Sequence, residues 1–244
     1  MLLFDPSFRL ACRPSCLAPY GAAQHSRKRY PALTLPWVIA LLLAVWAAAS
    51  PVSAEPIRLV ALGDSLTAGL GLPAQQAFPA RLQAALKARG HDVLIENAGV
   101  SGDTASAGLA RIDWSVPDGT DGVIFEFGAN DALRGVDPAV TGRALDAAVG
   151  QLRARGIAVL VAGMVAPPNM GGGYGARFNA LYGDLARKHG VPLYPFFLDG
   201  VAGDAALNQK DGIHPTAAGV ERIVERILPA VEAFLASIRA GKAG

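Results

Sequence analysis

The sequence predicts an α/β fold in which one parallel β-sheet is covered by helices on both faces. Five short apolar runs alternate with longer segments of helical spacing, an order typical of consecutive strand–helix–strand units. The first, third and fourth runs contain very few polar residues, as expected of strands that are buried on both faces of a sheet.

Each predicted strand is a run of four to six mostly apolar residues, and each predicted helix has apolar residues three and four positions apart. The helix predicted over 138–155 has Asp137 as its expected N-cap and Pro138 at its first position. The predicted strands are 57–62, 93–96, 122–127, 157–162 and 191–194, and the predicted helices are 78–89, 106–112, 138–155, 174–189 and 216–238.

Residues 1–54 have the pattern of a secretory signal. A basic cluster at 27–29 precedes the apolar run 37–49, and small residues before Ala54 suit cleavage after that position. The leader is longer than usual for such signals. A start site assigned too far upstream would explain the extra length. A retained membrane anchor is the alternative, but the apolar run is shorter than the roughly 20 residues of a spanning helix.

The remainder is expected to form one domain over 55–240, with 241–244 as a frayed tail. It contains no cysteine, because Cys12 and Cys16 both lie in the leader, and this excludes disulfides, a thiolate nucleophile and cysteine metal sites. Residues 1–54 hold 5 of the 22 basic and 1 of the 20 acidic residues, so the remainder has a net charge of −2. That charge argues against a nucleic-acid partner.

Candidate functional residues are expected at the carboxyl edge of the sheet, where strand-to-helix loops emerge and where open α/β sheets bind ligands. Five segments that follow a predicted strand have compositions too specific for plain turns. They are 63–66 (GDSL), 101–104 (SGDT), 128–131 (GAND), the Gly- and Pro-rich loop 163–175, and 211–215 (DGIHP).

The same reasoning sorts the histidines. His25 belongs to the leader, whereas His91 and His189 follow helices and belong at the opposite edge, where a basic residue suits a helix C-terminus. Only His214 remains at the carboxyl edge. Asp211 lies three residues earlier across a glycine, so its carboxylate can orient the imidazole as a general base. The alternative is that Asp211 only closes a turn.

Ser65 follows the first strand at an expected helix start, whose N–H groups stabilise developing negative charge. It is a candidate nucleophile, with an N-cap serine as the alternative. Asp64 is expected to tie this loop together by hydrogen bonds. Gly102 and Asn130 can supply a backbone and a side-chain N–H to a tetrahedral oxyanion, or can be ordinary turn residues.

Together these segments resemble the four sequence blocks of the SGNH (GDSL) hydrolases, in the same order and with similar spacing, from the first strand to the last helix. Segments 97–104 and 194–197 are similar in particular to the exported bacterial branch described as arylesterase, acyl-CoA thioesterase I or lysophospholipase. The resemblance implies a flavodoxin-like three-layer αβα fold with a five-stranded parallel sheet. It also implies hydrolysis of acyl esters and thioesters.

By the same resemblance, Ser65 is the nucleophile, His214 the base and Asp211 its orienting carboxylate. The oxyanion donors are then the backbone N–H groups of Ser65 and Gly102 and the side chain of Asn130. No metal and no cofactor are expected. The expected partner is a small acyl ester or thioester, with no stable membrane anchor after signal cleavage and a monomer as the expected state.

Loop 163–175 is expected to border the acyl group through Met164, Val165, Pro167 and Met170, with its three consecutive glycines as hinges. A surface loop without function is the alternative. Two other functions compete with the esterase: a carbohydrate O-acetylesterase of the same family, and a non-catalytic phosphate-binding module.

Overall fold

The computed structural model describes residues 55–242, and the leader predicted for 1–54 lies outside them. The strands of this described part are β1 (Ile57–Gly63), β2 (Val93–Gly99), β3 (Gly122–Glu126), β4 (Ala158–Ala162) and β5 (Leu193–Tyr194). Its α-helices are α1 (Ser65–Ala68), α2 (Phe78–Ala88), α3 (Ala105–Ala110), α4 (Ile112–Ser115), α5 (Ala129–Leu133), α6 (Pro138–Ala154), α7 (Gly172–His189) and α8 (Ala217–Lys242). Short 3₁₀ turns cover Ala74–Gln76 and Pro168–Met170.

The five strands form one all-parallel sheet in the order β2-β1-β3-β4-β5. After β2 the chain crosses back over β1, so the direction of winding reverses between β1 and β3. In sheets of this order, ligands bind outside the carboxyl ends of the strands at that switch point. Ser65 follows β1 and Asn130 follows β3, so the topology places both at this position.

Helices cover both faces of the sheet and complete a three-layer structure. From β1 to β2 the chain moves in one direction along the sheet, and a right-handed crossover then places α2 on one face. From β2 to β3, β4 and β5 it moves in the opposite direction, and right-handed crossovers place α3, α6 and α7 on the other face. The packing agrees, since α8 lies against α2 while α6 lies against both α3 and α7. A continuous apolar core fills both interfaces, with Phe78, Phe125 and Phe178 fully buried. The predicted fold class is therefore confirmed.

The boundaries differ from the prediction in ways that have local causes. β2 continues past its predicted end at Glu96, through Asn97 to Gly99, because its backbone remains paired with β1 up to Gly63. The helix predicted over 106–112 is two short helices that meet at Arg111. α8 extends to Lys242, two residues into the tail that was expected to fray. No helix within 55–242 is long and apolar enough to cross a membrane.

Candidate active site

Loops at the carboxyl edge bring a serine, a histidine and an aspartate into one hydrogen-bonded chain. The Oγ atom of Ser65 lies 2.9 Å from Nε2 of His214. Nδ1 of the same imidazole lies 2.7 Å from Oδ2 of Asp211. Both distances are those of normal hydrogen bonds. The chain therefore connects the loop after β1 with the loop before α8, as the sequence predicted for these three residues.

Ser65 is the first residue of α1, and its neighbour Asp64 is the N-cap. Oδ1 of Asp64 accepts a hydrogen bond of 2.9 Å from the Leu66 N–H and so fixes the start of the helix. Capping, the alternative role considered for Ser65, thus belongs to Asp64. The serine is largely buried, and its hydroxyl is held against the imidazole instead of capping the helix.

Asp211 is held as an ionised carboxylate. Its Oδ1 accepts the backbone N–H groups of Ile213 (2.9 Å) and His214 (3.0 Å). These two bonds, with the imidazole contact added, lower the pKa of Asp211 to about 2. The ionised Oδ2 keeps the proton of His214 on Nδ1. Nε2 is then free to accept the proton of the Ser65 hydroxyl.

Two backbone N–H groups are available for an oxyanion. Within residues 55–242, neither the Ser65 nor the Gly102 N–H donates to a backbone or side-chain acceptor of the protein. Gly102 has φ +89°, a left-handed conformation that glycine adopts without strain. Its carbonyl accepts a hydrogen bond of 2.8 Å from Arg134 Nη2, which holds the following Gly102–Asp103 peptide in place.

The side chain of Asn130 is more constrained than the sequence suggested. Its Nδ2 donates both to Oδ2 of Asp64 and to the carbonyl of Asp103, each at 3.0 Å. Both hydrogens of the amide are therefore engaged in this state. To act as an oxyanion donor, Asn130 must share or release one of them, and the Asp103 carbonyl is the weaker acceptor because it is uncharged.

Asp64 is a fully buried carboxyl group in the wall behind Ser65. Burial raises the pKa of Asp64 to about 6, while the bonds from Leu66 and Asn130 and the nearby His214 oppose the rise. At neutral pH its charge is therefore retained. A negative charge at this position favours the imidazolium that forms when His214 takes a proton.

Arg111, which no sequence motif indicated, ties two of the loops together from behind. It is buried, with its Nε 2.6 Å from Oδ2 of Asp103 and its Nη2 2.8 Å from the carbonyl of Gly63. Asp103 follows the candidate donor Gly102, and Gly63 precedes the Asp64–Ser65 pair. One guanidinium group thus fixes the distance between the serine loop and the Gly102 loop.

Replacing Arg111 by methionine is expected to lower the free energy of unfolding by about 3–5 kcal/mol, because the largely buried Asp103 carboxylate loses its partner. Arg187→Met is the matched control: Arg187 pairs with Asp184 on the exposed face of α7, where such pairs contribute about 0–1 kcal/mol. Urea unfolding of both variants provides the measurement. Equal losses in the two variants would contradict the role assigned to Arg111.

An apolar cavity of about 440 Å³ opens beside the serine. The residues that line it come from the segments that follow β1, β3, β4 and β5 at the carboxyl edge. In that order they are Leu66; Ala129, Ala132 and Leu133; Met164–Pro168; and Phe196, Leu198, Ala202, Gly203, Asn208, Gly212 and Ile213. The cavity is lined almost entirely by apolar side chains, and its wall includes one sequence neighbour of each of Ser65, Asn130 and His214, namely Leu66, Ala129 and Ile213.

Three of the four residues predicted to border the acyl group line this cavity: Met164, Val165 and Pro167. Met170 does not. Its Cε lies near Gly135, 3.6 Å from where a Cβ of that residue would stand. Two of the three glycines expected as hinges belong to the first turn of α7, so the flexible part of the loop is shorter than predicted.

The two remaining described histidines lie at the opposite edge, as predicted. His91 Nε2 is 3.1 Å from a Glu232 carboxylate oxygen, and His189 Nε2 is 2.8 Å from Oδ1 of Asp146.

Asp131, the last residue of the GAND segment, has a structural role. Its buried carboxylate caps α3 through the Ala105 N–H.

An α/β sheet with a serine, histidine and aspartate in hydrogen-bonded series, next to an apolar cavity, defines the class of serine hydrolases that cleave acyl groups. Comparison with known families agrees, since residues 61–222 match the GDSL-like lipase/acylhydrolase family. The chain belongs to this family, and it is a serine ester hydrolase.

Similar proteins support the assignment. Esterase TesA of Pseudomonas aeruginosa is 38% identical over 205 residues, which cover 84% of this chain and 99% of the relative. Thioesterase 1/protease 1/lysophospholipase L1 of Escherichia coli K12 is 36% identical over 182 residues, covering 74% of this chain and 83% of the relative. The crystal structure of AlinE4, an SGNH-hydrolase family esterase, is 45% identical with a TM-score of 0.63, covering 74% and 97% of the two chains.

Proposed function

We propose that this protein hydrolyses carboxylic esters and thioesters through an acyl-enzyme on Ser65. The observation that carries the proposal is the continuous hydrogen-bonded chain from Ser65 through His214 to Asp211. A phosphate-binding module has no use for an imidazole placed 2.9 Å from a buried serine hydroxyl. Covalent labelling of Ser65 by a fluorophosphonate probe is the corresponding test.

The reaction follows from the positions of these groups. The Ser65 hydroxyl attacks the acyl carbonyl carbon while His214 Nε2 accepts its proton, and the carbonyl oxygen becomes an oxyanion. The N–H groups of Ser65 and Gly102 receive the oxyanion, with Asn130 as the third donor. When the oxyanion collapses, the bond between the acyl carbon and the leaving oxygen or sulfur breaks, and the imidazolium protonates that atom so that an alcohol or thiol departs. Water attacks the acyl-enzyme by the same route and releases the carboxylic acid.

The cavity supports an apolar acyl chain as the group that is transferred. Its walls offer hydrocarbon and almost no hydrogen-bonding groups, whereas a sugar ring needs several polar partners. The carbohydrate O-acetylesterase is therefore the less supported alternative. A panel of p-nitrophenyl esters, acyl-CoAs, lysophospholipids and acetylated sugars, assayed with the purified protein, distinguishes the two. Preference for the acetylated sugars would contradict an acyl-chain function.

Narrowing the cavity is expected to change the preferred chain length. Ala166 is buried in the cavity wall, so Ala166→Leu adds bulk where a long chain would lie. We expect kcat/KM for a C12 p-nitrophenyl ester to fall about tenfold or more relative to the C4 ester, because overpacking costs about 1–3 kcal/mol. Ala139→Leu, on the exposed side of α6, is the control. An unchanged C12-to-C4 ratio would exclude this cavity as the acyl site.

We also propose that the enzyme is periplasmic or secreted, with residues 1–54 as its cleaved leader. The basic cluster, apolar run and small-residue site of the sequence support this assignment. The N-terminal residue of the exported protein decides between cleavage after Ala54 and a retained anchor.

A further inference from the structure

Glu126 is a buried acid directly behind the serine loop, and the reaction described above does not use it. It is the last residue of β3 and is fully inaccessible to solvent. Its Oε2 accepts a hydrogen bond of 2.9 Å from the Thr67 hydroxyl and a longer one of 3.4 Å from the Asp64 N–H. Its Oε1 has no hydrogen-bond partner among the described residues.

The carboxyl group of Glu126 also lies beside Asp64, because its Oε2 is 3.4 Å from the backbone N of Asp64, and the two carboxyl groups interact. Two buried carboxyl groups this close cannot both be ionised, so the pair keeps a proton between them. A proton on one carboxyl group also gives the pair the donor that a bond between two carboxyl groups requires.

The surroundings decide which of the two carries the charge. Asp64 accepts the Leu66 N–H at 2.9 Å and the Asn130 amide at 3.0 Å, and it lies near His214. Among residues 55–242, Glu126 has no cationic partner and only one short hydrogen bond, from Thr67, to stabilise a charge. Burial, followed by the charge of Asp64, raises the pKa of Glu126 well above its ordinary range. The charge therefore belongs on Asp64 and the proton on Glu126.

We propose that Glu126 acts as a neutral carboxylic acid and as a positioning residue: it donates a hydrogen bond to the Asp64 carboxylate and thereby holds Asp64 against Asn130. Because Asn130 is the third oxyanion donor, the inference rests on the proposed function. Glu126 acts on the reaction only through Asp64.

The backbone of the serine loop is shaped around this acid. A Cβ at Gly63 would lie 2.6 Å from Oε2 of Glu126 and 2.2 Å from the Thr67 hydroxyl oxygen. Only glycine leaves room for the carboxyl group at this point. Glu126 is the register partner of Gly63 on the neighbouring strand β3, and its backbone oxygen would lie 2.7 Å from the same Cβ, so both the acid and its backbone require glycine here.

Two substitutions separate a neutral acid from an ionised one. Glu126→Gln keeps the shape and an N–H donor but cannot be charged, so kcat should stay within about threefold of the wild-type value. Glu126→Leu removes the donor, and kcat should fall about 10-fold to 100-fold with little change in KM, less than the 10²–10³-fold cost of losing a direct oxyanion donor. Glu232→Gln and Glu232→Leu, at the opposite edge of the sheet, are the controls.

The infrared spectrum gives a second readout that does not depend on activity. At pH 8 the wild-type minus Glu126→Gln difference should contain the carbonyl stretch of a protonated carboxylic acid, and this readout holds even if Glu126→Leu does not fold. Absence of that band, a Glu126→Gln enzyme as slow as Glu126→Leu, or a Glu126→Leu enzyme with wild-type kcat would each overturn the proposal. If the wild-type protein hydrolyses none of the esters, the proposed function fails, and the infrared band still decides the state of Glu126.

Discussion

Ser65→Ala is expected to lower kcat for a short p-nitrophenyl ester by about 10⁴-fold to 10⁶-fold, with no loss of folded structure. The variant lacks the oxygen atom that we propose as the nucleophile. Among residues 55–242, no other hydroxyl group is hydrogen-bonded to His214 Nε2. The residual rate would come from the oxyanion donors and substrate binding alone. Removal of one small, nearly buried hydroxyl leaves the packing around α1 unchanged.

Initial rates under saturating substrate measure this loss, and a fluorophosphonate probe tests it without substrate. Ser237→Ala is the matched control, because that hydroxyl donates to the Phe234 carbonyl within α8 and lies outside the site. Labelling should disappear in Ser65→Ala and persist in Ser237→Ala. A Ser65→Ala enzyme with the wild-type rate would refute the acyl-enzyme mechanism.

The fold was predictable because burial on both faces of a parallel sheet leaves a direct trace in the sequence. β1, β3 and β4 are apolar runs for that reason, and their bounds differ from the predictions by only one residue at an end. β2 and β5 lie at the two edges of the sheet, where one side of the strand is unpaired. Their ends are set by backbone pairing, which the side chains do not report, and both were misplaced by two or three residues.

Ser65, Asp211 and His214 could be predicted to meet because each lies in a loop that the topology sends to the same edge. The residues behind them could not be found in that way. Arg111 stands at the junction of two short helices, and its partners are 8 and 48 positions away in the chain. Such contacts depend on the tertiary fold, and a single arginine in a helical pattern gives no sign of them.

Glu126 did leave a signal in the sequence. It is an acid within a strand, 122–127, whose other residues are glycine or apolar. An acid in a strand covered on both faces must be neutral or paired, because an isolated buried charge is too costly. The sequence indicated Asn130 as a candidate oxyanion donor but not its hydrogen bonds. Its partners Asp64 and Asp103 lie on two other loops, so these bonds follow only from the assembled fold.

Asn130→Ala is expected to lower kcat by about 10²-fold to 10³-fold while KM changes little. The change removes the proposed third oxyanion donor, whose bond is expected to be stronger in the transition state than in the ground state. It also leaves the buried Asp64 carboxylate without its 3.0 Å amide partner. Asn130→Asp should be at least as slow, because a carboxylate cannot donate and would stand beside the negative charge of Asp64.

Steady-state kinetics on one ester and one thioester test this prediction, and both substrates should lose the same factor because their oxyanions are alike. Gln151→Ala is the control, since that amide also donates to a carboxylate, Oδ1 of Asp113 at 2.7 Å, on an exposed surface far from the serine. A variant with raised KM and unchanged kcat would mean that Asn130 binds the substrate and the transition state equally. In that case Asn130 would not favour the oxyanion over the substrate, and that preference would depend on the Ser65 and Gly102 N–H groups alone.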